Sequence, residues 1–232
     1  MTDYVLIHGA WHGSWCWTRV RRLLAAGGHR VFTPTLTGVG ERSHLLSRDV
    51  GLDTHVADVA NLMIWEDLRD VVLVGHSYGG AVVRHVADRM PERIRSLIYL
   101  DAFVPENGKA VFDYLPDNGK SSREQAVACG DGWKVPPIPA AVFAVNAADA
   151  AWIDRQCTMH PLSSFEAPTQ ISGACDDIAD IGYILARGFD GPFGQFYAKA
   201  GERRWWQAEL SCGHDVMLDM PNELTALLLQ RA

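Results

Sequence analysis

No apolar run in the 232-residue chain reaches 18 residues, so no segment is predicted to cross a bilayer as a helix. Basic clusters are missing too. Lys and Arg number 21 against 28 Asp and Glu, a formal net charge of −7, which argues against nucleic acid or an anionic membrane as partner. Cysteine is scarce: five residues, Cys16, Cys129, Cys157, Cys175 and Cys212, with no C-x-x-C pair. Neither a disulfide framework nor a tetrahedral metal site is expected from that spacing, and no cofactor or metal is called for. The opening TDYVLIHG has no basic region followed by a cleavable apolar segment. An odd cysteine count without such a leader predicts a reduced, cytoplasmic protein. Internal repeats and low-complexity tracts are also lacking.

What is present is an alternation of short β-branched runs with helical patterns. YVLIH (4–8), HRVFTP (29–34), DVVLVG (70–75), RSLIYL (95–100), DIGYILA (180–186) and WWQAEL (205–210) read as strands. Between them residues 15–26, 54–66, 78–90 and 192–200 read as helices, and a last helix starts at Pro221. On the helix 78–90, Val82, Val83, Val86, Ala87 and Met90 are expected inward, and Arg84, Asp88 and Arg89 outward. This alternation predicts an α/β fold, with a mostly parallel sheet of about six strands flanked by helices and joined by right-handed crossovers. Over 104–170 the rhythm breaks. PPIP (136–139) interrupts weakly periodic pieces that carry Phe112, Tyr114, Trp133, Phe143 and Trp152. The expected layout is a core of residues 1–103 and 171–232 with a helical lid at 104–170. Phe112, Trp133 and Trp152 are the candidate substrate-binding aromatics, and they suggest an apolar or aryl substrate.

The strand DVVLVG runs into HSYGG, placing Ser77 between Gly75 and Gly79 at a strand-to-helix turn. G-x-S-x-G in that context holds a strained serine whose hydroxyl projects above the sheet, with a helix N-terminus beneath it. A serine hydroxyl needs a base to become a nucleophile. Of nine histidines, His214 in SCGHDVMLDMP is the candidate, because it follows the last strand at the same sheet edge. His76 should point under the turn, His8 and His12 should support the first loop, and His29 and His85 should be a strand-start and a helix-exterior residue. Two backbone N–H groups are expected to bind an oxyanion: that of Tyr78, after the serine, and that of Ala10, in IHGAWHGSW.

HGAWHGSWCW, GHSYGG and GHDVMLDMP together resemble the α/β-hydrolase fold over essentially the whole chain. Within it they resemble the branch of plant methylesterases, hydroxynitrile lyases and bacterial esterases such as pyrethroid hydrolases. The resemblance implies a cofactor-free Ser–His–acid enzyme with a lid after the fourth strand. In the plant members the acid follows the strand that matches GYILA, which would make it Asp190. The other acid position of this fold follows the strand after the nucleophile helix, which would make it Asp101. Asp101 is the first choice and Asp190 the alternative, whereas Asp176, Asp177 and Asp215 are badly placed. Lyases of this branch carry a threonine in the first loop and a lysine after the histidine; Gly9 and Asp215 stand at those positions. The expected activity is therefore a Ser77–His214–Asp101 carboxylesterase acting on a small-molecule ester, with lyase-like C–C cleavage or a weakly hydrolysing receptor as alternatives. A homodimer is left open. TGVGERS (37–43) is a poor dinucleotide fingerprint and is expected to be a loop near the pocket, where Arg42 and His44 could reach substrate.

Overall fold

The computed structural model describes residues 1–232. The chain runs β1 (Asp3–Ile7), α1 (Thr18–Ala26), β2 (Arg30–Phe32), α2 (Leu52–Trp65), β3 (Val71–Ser77), α3 (Gly79–Arg89) and β4 (Ile94–Ala102). It continues through α4 (Lys120–Cys129), β5 (Lys134–Val135), α5 (Ala147–Gln156), β6 (His160–Pro161) and α6 (Ser163–Glu166). The last elements are β7 (Asp180–Ala186), α7 (Gly194–Glu202), β8 (Trp206–Leu210), α8 (Val216–Asp219) and α9 (Pro221–Leu229). Six strands form one sheet in the order β2-β1-β3-β4-β7-β8, and every neighbouring pair is parallel. Helix pairs α1 with α9 and α2 with α3 flank it.

The central strands match the sequence pattern. Val71–Val74 and Leu97–Leu100 are buried completely, as strands covered on both faces must be. From β1 the chain steps to β2 on one side and then to β3 on the other. Strand order therefore switches between β1 and β3, which opens a crevice at their C-terminal ends. No helix is long and apolar enough to cross a membrane.

The strand β2 is shorter than HRVFTP suggests. It pairs only with Asp3–Val5 at the sheet edge, and Pro34 has no N–H to extend the ladder. By contrast β4 runs two residues past RSLIYL, because its pairing with β3 resumes beyond a register shift. Residues 104–170 leave the sheet after β4 and return before β7. They hold α4, α5, α6 and a two-stranded antiparallel ribbon of β5 and β6 that local pattern did not reveal.

Two residues of α3 expected at its exterior are buried. Arg84, 2% exposed, makes a bidentate pair with Asp176 at 2.9 Å and donates to Pro105 O. His85 Nδ1 meets Ala81 O at 2.7 Å, and its Nε2 accepts from Gln170 N. The two ends of the insertion cross this face of the helix, so a surface that reads as polar in the local pattern becomes an interior.

Candidate active site

Ser77 ends β3 at the switch point, with a backbone φ of +53°. That conformation is strained for a side-chain-bearing residue and persists only where the surroundings hold it. Glycines at both flanks make the turn feasible. A β-carbon on Gly75 would lie 2.6 Å from Gly79 O, and one on Gly79 would lie 2.6 Å from His8 O. Both obstacles are backbone, which cannot move aside.

Asp101 owes its position to a β-bulge. His76 pairs with Leu100 and Ser77 with Ala102, so Asp101 is the extra residue, at φ +42°. A bulge redirects a side chain out of the strand's alternation. Here it aims the carboxylate at His214, whose Nδ1–H donates to Asp101 Oδ2 at 2.6 Å. The other oxygen accepts from Ala186 N at 3.1 Å. The Tyr183 hydroxyl braces the bulge, donating to Ala102 O and accepting from Ala102 N. Asp101 and His214 are 1% and 2% exposed. Asp190 is exposed and makes no hydrogen bond to the imidazole. His214 is surrounded by rings: Phe193 and Phe189 have centroids 4.8 and 4.9 Å away, and Phe143 is at 5.3 Å. His76 lies beneath the turn, its ring 4.5 Å from His214, and donates from Nε2 to His214 O at 3.0 Å.

Ala10 and Tyr78 border the same cavity as Ser77 and His214. Neither backbone N–H donates to an acceptor within the protein. The Ala10 peptide and the Tyr78 side chain are held from behind, and Ser77 O, on the peptide that carries the Tyr78 N–H, accepts from Phe103 N at 3.1 Å. His8 Nδ1–H donates to Gly9 O at 2.8 Å, on the peptide that carries the Ala10 N–H, while His8 Nε2 accepts from Leu36 N. This pattern needs a neutral ring, and burial accordingly pushes the His8 pKa down to about 3. The Tyr78 hydroxyl donates to His55 Nδ1 at 2.8 Å, and His55 Nε2–H donates to Thr37 O. Burial likewise lowers His55 to about 4. The next residue of the first loop, Trp11, has φ +64° and is held by the insertion at three atoms. Its N–H donates to His160 Nδ1, its carbonyl accepts from Thr158 N at 3.0 Å, and its indole N–H donates to Val135 O at 3.0 Å.

The cavity holds about 190 Å³ of free space between the sheet edge and the insertion. Phe103, Phe189 and Phe193 line it from the core side, and Val111, Phe112, Leu115, Ile138, Phe143 and Phe165 from the insertion. Apart from Ser77 and His214, only Ser122 brings a polar side chain other than the ring-bearing ones. Of the three aromatics singled out in the sequence, Phe112 is in the wall, stacked on Phe165 with centroids 5.3 Å apart. The other two face away from the cavity: Trp133 packs under Arg48 and Trp152 edge-on against Trp15. Arg42 and His44 do not reach the cavity either; Arg42 donates to Thr35 O. Phe165, Phe189 and Phe193 were not singled out: Phe165 sits in the four-residue α6, Phe189 in the loop after β7 and Phe193 at the start of α7, too short or irregular a context to show which way a ring turns.

A profile of the alpha/beta hydrolase family matches residues 4–227. A carbendazim hydrolyzing esterase from Nocardioides sp. (strain SG-4G) is 44% identical over 242 aligned positions, covering 98% of this chain and 98% of that protein. Methylesterase 1 from Arabidopsis thaliana is 32% identical over 53% of this chain and 48% of its own length. Among solved structures, an extracellular alpha/beta-hydrolase from a Paenibacillus species superimposes with a TM-score of 0.86 at 23% identity, covering 100% of this chain and 99% of the other.

Proposed function

Because the chain belongs to the alpha/beta hydrolase family, we propose that it is a serine carboxylesterase acting on small apolar or aromatic esters through an acyl-enzyme. Ser77 Oγ attacks the ester carbonyl while His214 Nε2 takes its proton. Asp101 holds the imidazole by Nδ1 and stabilises the imidazolium that forms. The Ala10 and Tyr78 N–H groups bind the tetrahedral oxyanion, each such donor contributing about 3 kcal/mol in the transition state. His214 then protonates the departing alcohol, and water repeats the sequence on the acyl-enzyme. The insertion at 104–170 serves as the lid, and its apolar wall selects the acyl or alcohol group by shape. No charged side chain lines the cavity apart from what His214 acquires, so a neutral substrate fits it best.

The observation that carries this reading is the meeting, in one cavity, of Ser77, a carboxylate-bound His214 and two unpartnered backbone N–H groups. All five cysteines are free, which supports a reducing compartment, the cytoplasm. The test is steady-state hydrolysis of aryl and methyl esters and of carbendazim, with wild type beside Ser77→Ala. Turnover that disappears in the variant is expected. A folded wild type inactive on every member of the panel overturns the reading, and cyanohydrin cleavage and ligand binding then decide between a lyase and a receptor.

A further inference from the structure

His12 and Asp215 lie in separate loops, after β1 and after β8, and neither borders the cavity. Both are buried, at 2% and 0% exposure. His12 Nδ1 is 2.7 Å from Ala10 O, and Nε2 is 3.1 Å from Asp215 Oδ2. A carbonyl and a carboxylate are both acceptors, so each ring nitrogen must donate and the ring is an imidazolium. Burial opposes both charges. The carboxylate outweighs it and holds His12 above the usual histidine value, while His12 holds Asp215 well below the usual carboxylate range.

A buried ion pair contributes little to stability over an apolar replacement, since desolvation offsets most of the attraction. What distinguishes this one is where its partners sit. Ala10 carries one of the oxyanion donors. Asp215 adjoins His214. The His76 ring, adjoining Ser77, donates to His214 O and lies 4.0 Å from the second Asp215 oxygen. The loops bearing the oxyanion donor, the nucleophile and the base therefore converge on two side chains that touch none of the reacting atoms.

We propose that the His12–Asp215 pair is a positioning unit for ester hydrolysis, fixing the Ala10 N–H relative to the His214 imidazole. With His8 on Gly9 O and His12 on Ala10 O, both carbonyls flanking Ala10 are anchored, and the second anchor is tied directly to the loop of the base.

The proposal rests on the esterase reading, so its test separates the two. The ¹⁵N imidazole spectrum of the wild type needs no substrate. It should show one histidine protonated on both nitrogens at pH 8, and that signature should vanish in Asp215→Asn. In the ester assay, Asp215→Leu should lower kcat about 30-fold with KM within about twofold, as for a displaced oxyanion donor. The same variant should lose affinity for a trifluoromethyl ketone, which forms an oxyanion on Ser77, while the product alcohol binds as before. Asp215→Asn, which can hydrogen-bond a neutral His12, should recover most of kcat. If Asp215→Leu does not fold, His12→Gln is read in the same assays. A neutral His12 in the wild type, unchanged kcat in the folded variants, or failure of both Asp215→Leu and His12→Gln to fold overturns the proposal.

Discussion

Phe193 lies face to face with the His214 imidazole, the ring centroids 4.8 Å apart and the planes 9° from parallel. An aromatic face attracts a cation more than a neutral ring, so in the proposed mechanism this stack favours the imidazolium that forms as Ser77 gives up its proton. Phe193→Leu is expected to lower kcat about three- to tenfold, matching the ~0.5–1.5 kcal/mol such ring contacts contribute. Steady-state kinetics on an aryl ester checks this; a change below about twofold would remove Phe193 from the mechanism.

Asp101 and Asp190 give a sharper contrast. Asp101→Asn should reduce kcat by a factor on the order of 10⁴, since the amide favours the wrong imidazole tautomer. Asp190→Asn should leave kcat within about twofold, because the exposed carboxylate makes no hydrogen bond to His214. The reverse ranking would move the acid to the loop after β7.

The aromatics of the insertion divide in the same manner. Phe112→Leu removes a ring from the cavity wall and should raise KM for aryl esters about three- to tenfold relative to small aliphatic ones. Trp133→Ala and Trp152→Ala should shift melting temperature but not the aryl preference, as their rings pack against Arg48 and Trp15. Competition between an aryl and an alkyl ester in one reaction measures the preference directly.

Acid should destabilise the protein well before its carboxylates titrate. His8, His55, His76 and His160 are buried and held neutral, with His8 at about 3 and His55 at about 4. Unfolded, each titrates near 6.5. As pH falls below that value the unfolded chain binds protons that the folded protein refuses. Stability then declines by about 1.4 kcal/mol per pH unit for each such site. His12 behaves in the opposite sense: its raised pKa adds stability below 6.5 that is lost as pH rises through its folded value. Melting curves should fall steeply between pH 6.5 and about 4. A melting temperature flat across that window would show that these rings charge without unfolding.

The proposed nucleophile and base, Ser77 and His214, stand out in the sequence because each has a distinctive local context: a serine between glycines at a strand end, and a histidine between the last strand and the last helix. The acid could not be settled that way. Its place depends on a register offset between β3 and β4, and pairing offsets leave no trace in either strand alone. Arg84 and His85 were misplaced for a similar reason, since the segments that bury them come from residues 105 and 170–176. The tryptophans of the insertion misled by size. Composition says that a segment has large rings to bury, and tertiary packing decides which of them turn toward the cavity.

The three bonds that fasten Trp11 to Thr158, His160 and Val135 bear on how this protein could be recombined. Residues 104–170 form a cassette inserted between two strands of the sheet. Yet the residue beside Ala10 draws its backbone and indole partners from that cassette. A chimera carrying another hydrolase's insertion would inherit not only a new cavity wall but an unfastened first loop, the loop proposed to bind the oxyanion, unless the donor supplies equivalent groups at 135, 158 and 160. Under the proposed esterase reading, substrate range and catalytic competence are thus coupled, and variation that broadens one must pass through residues that maintain the other.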